Sequence, residues 1–113
     1  MSKQDEQIIA GSGNVFADMG LPHADELQTR AELTRLIYNG ILERGLTQTA
    51  AAKLLGLKQP DVSQLMAGRF THFSTDRLLR LLMALDRDVE IVVRLKPIDS
   101  TRARLRVSNV ASA

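Results

Sequence analysis

The stretch that most constrains this chain is residues 47–69, TQTAAAKLLGLKQPDVSQLMAGR. Gly56 divides it into two short helix-forming runs. Upstream, residues 48–55 carry three alanines and two leucines, a composition that favours helix strongly. Thr47 places a hydroxyl where it can cap orphan N–H groups two or three residues on. Gly56 tolerates the left-handed backbone of a tight turn and so ends the run. A second helix starts near Lys58 or Gln59, with Pro60 in an opening turn where its missing N–H costs nothing. Val62, Leu65 and Met66 follow at i, i+3 and i+4 as one apolar stripe, and Gly68 closes the helix. Ala52 is expected to be the small residue over which the second helix crosses closely. Leu55, Val62 and Leu65 would fill the crossing, with Leu57 plugging the space between the helices.

Two helices crossing steeply through a three- or four-residue turn make a helix-turn-helix; the bland alternative is a plain helical hairpin. The spacing resembles the phage-repressor type found in Cro/C1-type regulators. That resemblance implies that Gln48, opening the first helix, and Gln59, opening the second, face DNA. The second helix would enter the major groove by its N-terminal end. Gln59, Asp61, Ser63 and Gln64 are then the base-reading candidates, while Val62 and Leu65 face inward. Gln59 or Gln64 could pair bidentately with adenine, and Asp61 could accept from cytosine N4. Asp61 has an equal alternative as an acid balancing the helix dipole. Thr47, Gln48, Lys58 and Arg69 are the phosphate candidates, which set register without reading sequence.

The 113 residues suit one domain with irregular ends. The charge is +2 but uneven: residues 1–46 hold four Lys/Arg and seven Asp/Glu, whereas residues 47–113 hold eleven and six. The basic part contains the proposed reading helix, as phosphate contact requires. The excess is mild, so a dimer that doubles those contacts is expected. There are no cysteines and only two histidines, which leaves no metal-ligand cluster and no thiolate chemistry. No cofactor is expected. Neither a phosphate-binding glycine loop nor a nucleophile with a paired histidine is apparent, so an enzyme is not expected. No apolar run reaches a membrane span, and MSKQDEQ does not resemble a signal peptide. A cytoplasmic location without membrane association follows as an expectation.

Residues 1–22 form an expected extended N-terminal segment, rich in turn-forming residues around GSGNVFADMGLP. Val15, Phe16, Met19 and Leu21 within it are expected to pack onto the domain surface or onto a partner. Residues 23–97 form the helix-turn-helix domain. Its first helix runs from about 23–25 to 44, with Asp25 and Glu26 in the first turn and Leu33, Leu36, Ile37, Gly40 and Ile41 on one face. Gly40 points to a close helix approach. After the loop at 70–73, where His72 is a loop or phosphate-facing residue, Ser74 caps a leucine-rich helix over 75–85. Residues 89–96 then alternate, with Val89, Ile91, Val93 and Leu95 on one face of a strand that Pro97 ends. An unpaired strand leaves backbone groups unsatisfied. Its partner is either the same strand of a second copy, or residues 13–17, or the tail. Residues 98–113 form a basic tail, with Arg102, Arg104 and Arg106 at alternate positions as a second strand or a phosphate-following arm.

Three stretches carry a wider resemblance: SGNVFADMGLP, LTQTAAAKLLGLKQPDVSQLMAGRF and FSTDRLLRLLMALDRDVEIVVR. Over roughly residues 11–97 they resemble HigA-type antitoxins, small Cro/C1-like proteins encoded beside a HigB/RelE-like toxin. The fold implied is mainly α, a lambda-repressor-like helix-turn-helix domain with one C-terminal β-strand paired across a dimer. The function implied is a homodimer that binds an inverted-repeat operator in double-stranded DNA, represses its own operon and neutralises an mRNA-interferase toxin. A stand-alone Cro/C1-type repressor shares the same motifs. Lys58 departs from the pattern, because many relatives cap the reading helix there with Ser or Thr.

Overall fold

The chain is mainly helical because its caps and apolar periods set out five helices among the described residues. A computed structural model describes residues 14–110. The helices are α1 (Val15–Asp18), α2 (Ala24–Glu43), α3 (Gln48–Leu55), α4 (Gln59–Met66) and α5 (Thr75–Ala84). The long α2 starts and stops within a residue of the expected bounds, as do α3 and α5. Two compact units are distinguished among the described residues, 30–93 and 14–29 with 94–110, and the division falls inside α2.

In the unit of residues 30–93, local caps define the helix starts. Thr47 Oγ1 accepts from the Ala50 N–H at 3.0 Å, and Ser74 Oγ accepts from the Arg77 N–H at 3.1 Å. Gly56 ends α3 in the left-handed region at φ 68°, and its N–H bonds to the Ala52 carbonyl. A side chain at this φ would be strained. One apolar core results. It draws Leu33, Ile37 and Ile41 from α2, Ala51 and Leu55 from α3, and Val62 and Leu65 from α4. Phe73, Leu78, Leu81, Leu82 and Leu85 complete it. Burying a side chain such as Leu or Val contributes on the order of 1.5–3 kcal/mol, so this cluster is the main stabilising element of the unit.

Two expectations about packing are sharpened. Ala51, fully buried, is the small core residue of α3, whereas Ala52 is only half-buried. Residues 51 and 55 share a helical face, and Ala52 lies about 100° further round. Gly40 is the close approach on α2: a Cβ built there would sit 3.2 Å from Leu85 Cδ1. The neighbour that the glycine admits is therefore the residue capping the C-terminus of α5.

Residues 89–96, expected to form a strand, are unpaired in the single chain. No strand is assigned among the described residues, and Ile91, Val93 and Leu95 are 77%, 89% and 96% exposed. Period-two alternation encodes a half-buried strand, but burial requires a partner, and no described residue of the single chain provides one. Val89 alone of that face is half-buried.

In the other unit, residues 15–18 make a helical turn where extended chain was expected. Asn14 is its cap, its side chain accepting from the Ala17 N–H at 3.0 Å. Val15, Met19 and Leu21 remain exposed and Phe16 is half-buried, so the expected packing of these four is met only in part. Residues 1–13 and 111–113 of the expected terminal segments lie outside the described residues, as does Gly13 of the alternative strand partner.

A single carboxylate organises this unit. Asp25, in the first turn of α2, accepts from Asn14 Nδ2 at 3.1 Å and from the Leu105 N–H at 3.0 Å. Arg102 clasps it with two further bonds, at 2.9 and 3.0 Å. The Arg102 guanidinium first, and the Leu105 N–H second, hold the Asp25 carboxyl down to about 2. Residues 98–110 contain no strand in the single chain, and Arg102 of the basic tail is bound to Asp25. Arg104 and Arg106 are exposed.

Candidate nucleic-acid interface

Helices α3 and α4 and the turn between them assemble the candidate site. Val62 and Leu65 are fully buried, which rotates the opposite face of α4 to the surface. On that face Gln59 and Ser63 are exposed, and Asp61 and Gln64 are half-buried. Thr47, Gln48, Lys58 and Arg69 are all exposed beside it. Each therefore lies where a ligand can reach it, although their chemical freedom differs.

Thr47 spends an acceptor lone pair on the Ala50 N–H, but its hydroxyl proton remains available as a donor. Ser63 Oγ–H donates to Gln48 Oε1 at 2.7 Å, joining the opening of α3 to the middle of α4. This bond uses one lone pair of the Gln48 amide oxygen and none of its NH2 donors. Donors are what a phosphate oxygen accepts. Ser63 thus has a partner within the protein, and the Gln48 NH2 keeps its donors.

Asp61 lies in the first turn of α4, where a carboxylate complements the helix dipole. It also faces Arg77 of α5, with Nη2 to Oδ2 at 3.9 Å. Lys58 is the N-cap residue of α4 and makes no side-chain cap bond. Its carbonyl accepts from the N–H groups of Asp61 and Val62 at 2.9 and 3.2 Å, and its side chain is exposed. The Arg69 N–H bonds to the Gln64 carbonyl and extends the last turn of α4, leaving the Arg69 side chain at the surface. The side-chain amides of Gln59 and Gln64 have no hydrogen-bonded partner among the described residues, so both are free to pair.

Arg77 was not legible as part of this surface, because it stands 16 residues beyond Asp61 on a different helix. Its guanidinium stacks on the buried Phe73 ring, 4.8 Å from the centroid. The loop between α4 and α5 is pinned in a similar way. Arg30 lies 5.6 Å from the Phe70 centroid and donates to the Phe73 carbonyl at 3.4 Å. Among the described residues no group of His, Asp or Glu side chains could hold a metal. No described helix is long and apolar enough to cross a membrane.

Comparison with known proteins agrees with this geometry. A family model described as a helix-turn-helix domain matches residues 15–94. A solved structure named as an XRE-family transcriptional regulator is 46% identical to the chain, covering 80% of it and 100% of the solved chain, with a TM-score of 0.70. No curated protein matches the sequence. With the motif, its caps and its buried crossing in place, the chain belongs to the XRE family of helix-turn-helix transcriptional regulators, a family of DNA-binding proteins rather than enzymes.

Proposed function

We propose that the protein is a sequence-specific repressor of its own operon, acting as a homodimer on an inverted-repeat operator and serving as the antitoxin of a HigBA-type pair. The observation that carries the DNA-binding part is the exposed polar face of α4, opposite the buried Val62 and Leu65 and bordered by Gln48 and Lys58. Gln59 and Gln64 read bases, Asp61 accepts from a cytosine, and Ser63 serves the site through Gln48. Thr47, Gln48, Lys58 and Arg69 hold phosphates. Dimerisation is supported by the alternating apolar positions Ile91, Val93 and Leu95, which stand exposed in the single chain and need a partner strand. A two-fold pair places half-site centres about one helical turn of DNA apart, or a multiple of it.

The antitoxin role is supported by the resemblance of residues 11–97 to HigA-type proteins. A stand-alone XRE repressor satisfies the same DNA-binding face and is the second reading. The test is binding to the DNA upstream of the gene against scrambled DNA, across a salt series. Half-saturation on the upstream DNA far below that on scrambled DNA is expected, and equal weak binding refutes self-repression. Co-purification with a small HigB/RelE-like protein encoded alongside separates antitoxin from stand-alone repressor. Absence of such a neighbouring gene leaves the second reading.

A further inference from the structure

We infer that Arg77 is a positioning residue that sets base preference through Asp61; this rests on the DNA-binding reading above. Asp61 is the sole acid on α4. A carboxylate entering the field of DNA phosphates is repelled unless a cation accompanies it. Arg77 is that cation, 3.9 Å away.

The separation matters. At 3.9 Å the pair is beyond hydrogen-bond length, so no lone pair of Asp61 is consumed. The carboxylate is compensated in charge yet keeps its acceptors for a cytosine amino group. Ser63 on the same helix differs, since its hydroxyl proton is committed to Gln48.

Arg77 is also held in place. Its N–H is bound by the Ser74 cap at 3.1 Å, and its guanidinium lies 4.8 Å from the centroid of Phe73, a ring only 1% exposed. The side chains of Arg77 and Asp61 are 43% and 38% exposed, so the pair sits at the surface where DNA can reach it. Arg77 thus brings a fixed positive charge from α5 to the opening of α4.

The experiment measures binding of the full-length protein to operator variants in which each base pair is changed in turn, for wild type, R77Q, R77K, D61N and the double variant. In the wild type, one base pair in each half-site prefers cytosine by about tenfold. R77Q loses that preference and keeps the profile at the other positions, R77K retains part of it, and D61N with R77Q behaves as D61N alone. Two results with R77Q overturn the inference. One is R77Q weakening all sequences alike with a shallower salt slope, which makes Arg77 a phosphate contact. The other is R77Q lowering the melting temperature while the base profile stands, which makes it structural. A wild type with no preference at any base pair refutes the DNA-reading proposal itself. A wild type with preferences that D61N leaves intact refutes the Arg77 inference alone.

Discussion

Lys58→Ser should raise stability and weaken DNA binding at once. Lys58 occupies the N-cap of α4 with φ −79° and ψ 151° but supplies no side-chain cap. Thr47 and Ser74 cap α3 and α5 from nearly the same backbone, at φ −73°, ψ 167° and φ −74°, ψ 160°. A serine at 58 can therefore reach the Asp61 N–H as they reach theirs. That N–H already bonds to the Lys58 carbonyl at 2.9 Å, so the new bond is shared. Pro60 also has no N–H to offer as a second donor. The gain belongs at the low end of the capping range, about 0.5 kcal/mol. For a domain of this size that corresponds to a rise in melting temperature of about 2–4 °C. Removing the ammonium takes one phosphate contact from each copy, which makes the salt slope shallower by about 1.8 for a dimer. Calorimetry and anisotropy titrations across a salt series measure the two effects separately. An unchanged or lower melting temperature refutes the capping argument, and an unchanged salt slope removes Lys58 from the phosphate set.

Further outcomes are expected. Leu65→Ala empties a fully buried position at the α3–α4 crossing and should cost about 2–5 kcal/mol by denaturant titration; a cost under about 1 kcal/mol would mean the crossing repacks freely. Ser63→Ala frees the Gln48 amide to rotate, so it should weaken cognate and scrambled DNA alike, and a selective loss on cognate DNA would return Ser63 to base reading. Val93→Asp should leave the folded domain intact but abolish dimerisation, as read by sedimentation. Asp25 has a folded pKa of about 2 against 3.8 when free, so its contribution to stability is present above pH 4 and lost as pH falls toward 2. Arg102→Gln should raise the Asp25 carboxyl pKa, measured by NMR titration, and shrink that acid-sensitive component.

The motif was legible because its signals act locally. Thr47, Gly56, Pro60 and Ser74 do their work within about four residues, so each helix start and stop follows from a short window. Features that depend on rotation or on distant chain were harder to see. Ala51 and Ala52 are indistinguishable by composition, and only the fixed orientation of α3 puts Ala51 in the core. The helical turn at 15–18 rests on one asparagine cap and four residues, too short for a period. The alternation at 89–96 is present, but a strand is a property of two segments, and one chain shows only one of them. Within the candidate interface, exposure of the polar face of α4 followed from the apolar stripe opposite. Its partners did not, because the Ser63–Gln48 bond spans 15 residues and the Arg77–Asp61 pair spans 16.

Asp25 has a practical consequence. Asn14, Arg102 and the Leu105 amide meet on one carboxylate although more than 80 residues separate the first from the last. A version shortened at residue 101 would leave a carboxylate stripped of its clasp at the opening of α2, and a version starting at residue 15 would lose the Asn14–Asp25 bond and the α1 cap. Trimming either end is therefore felt at the other, and a neutral Asn at position 25 is the natural companion change for any truncated form.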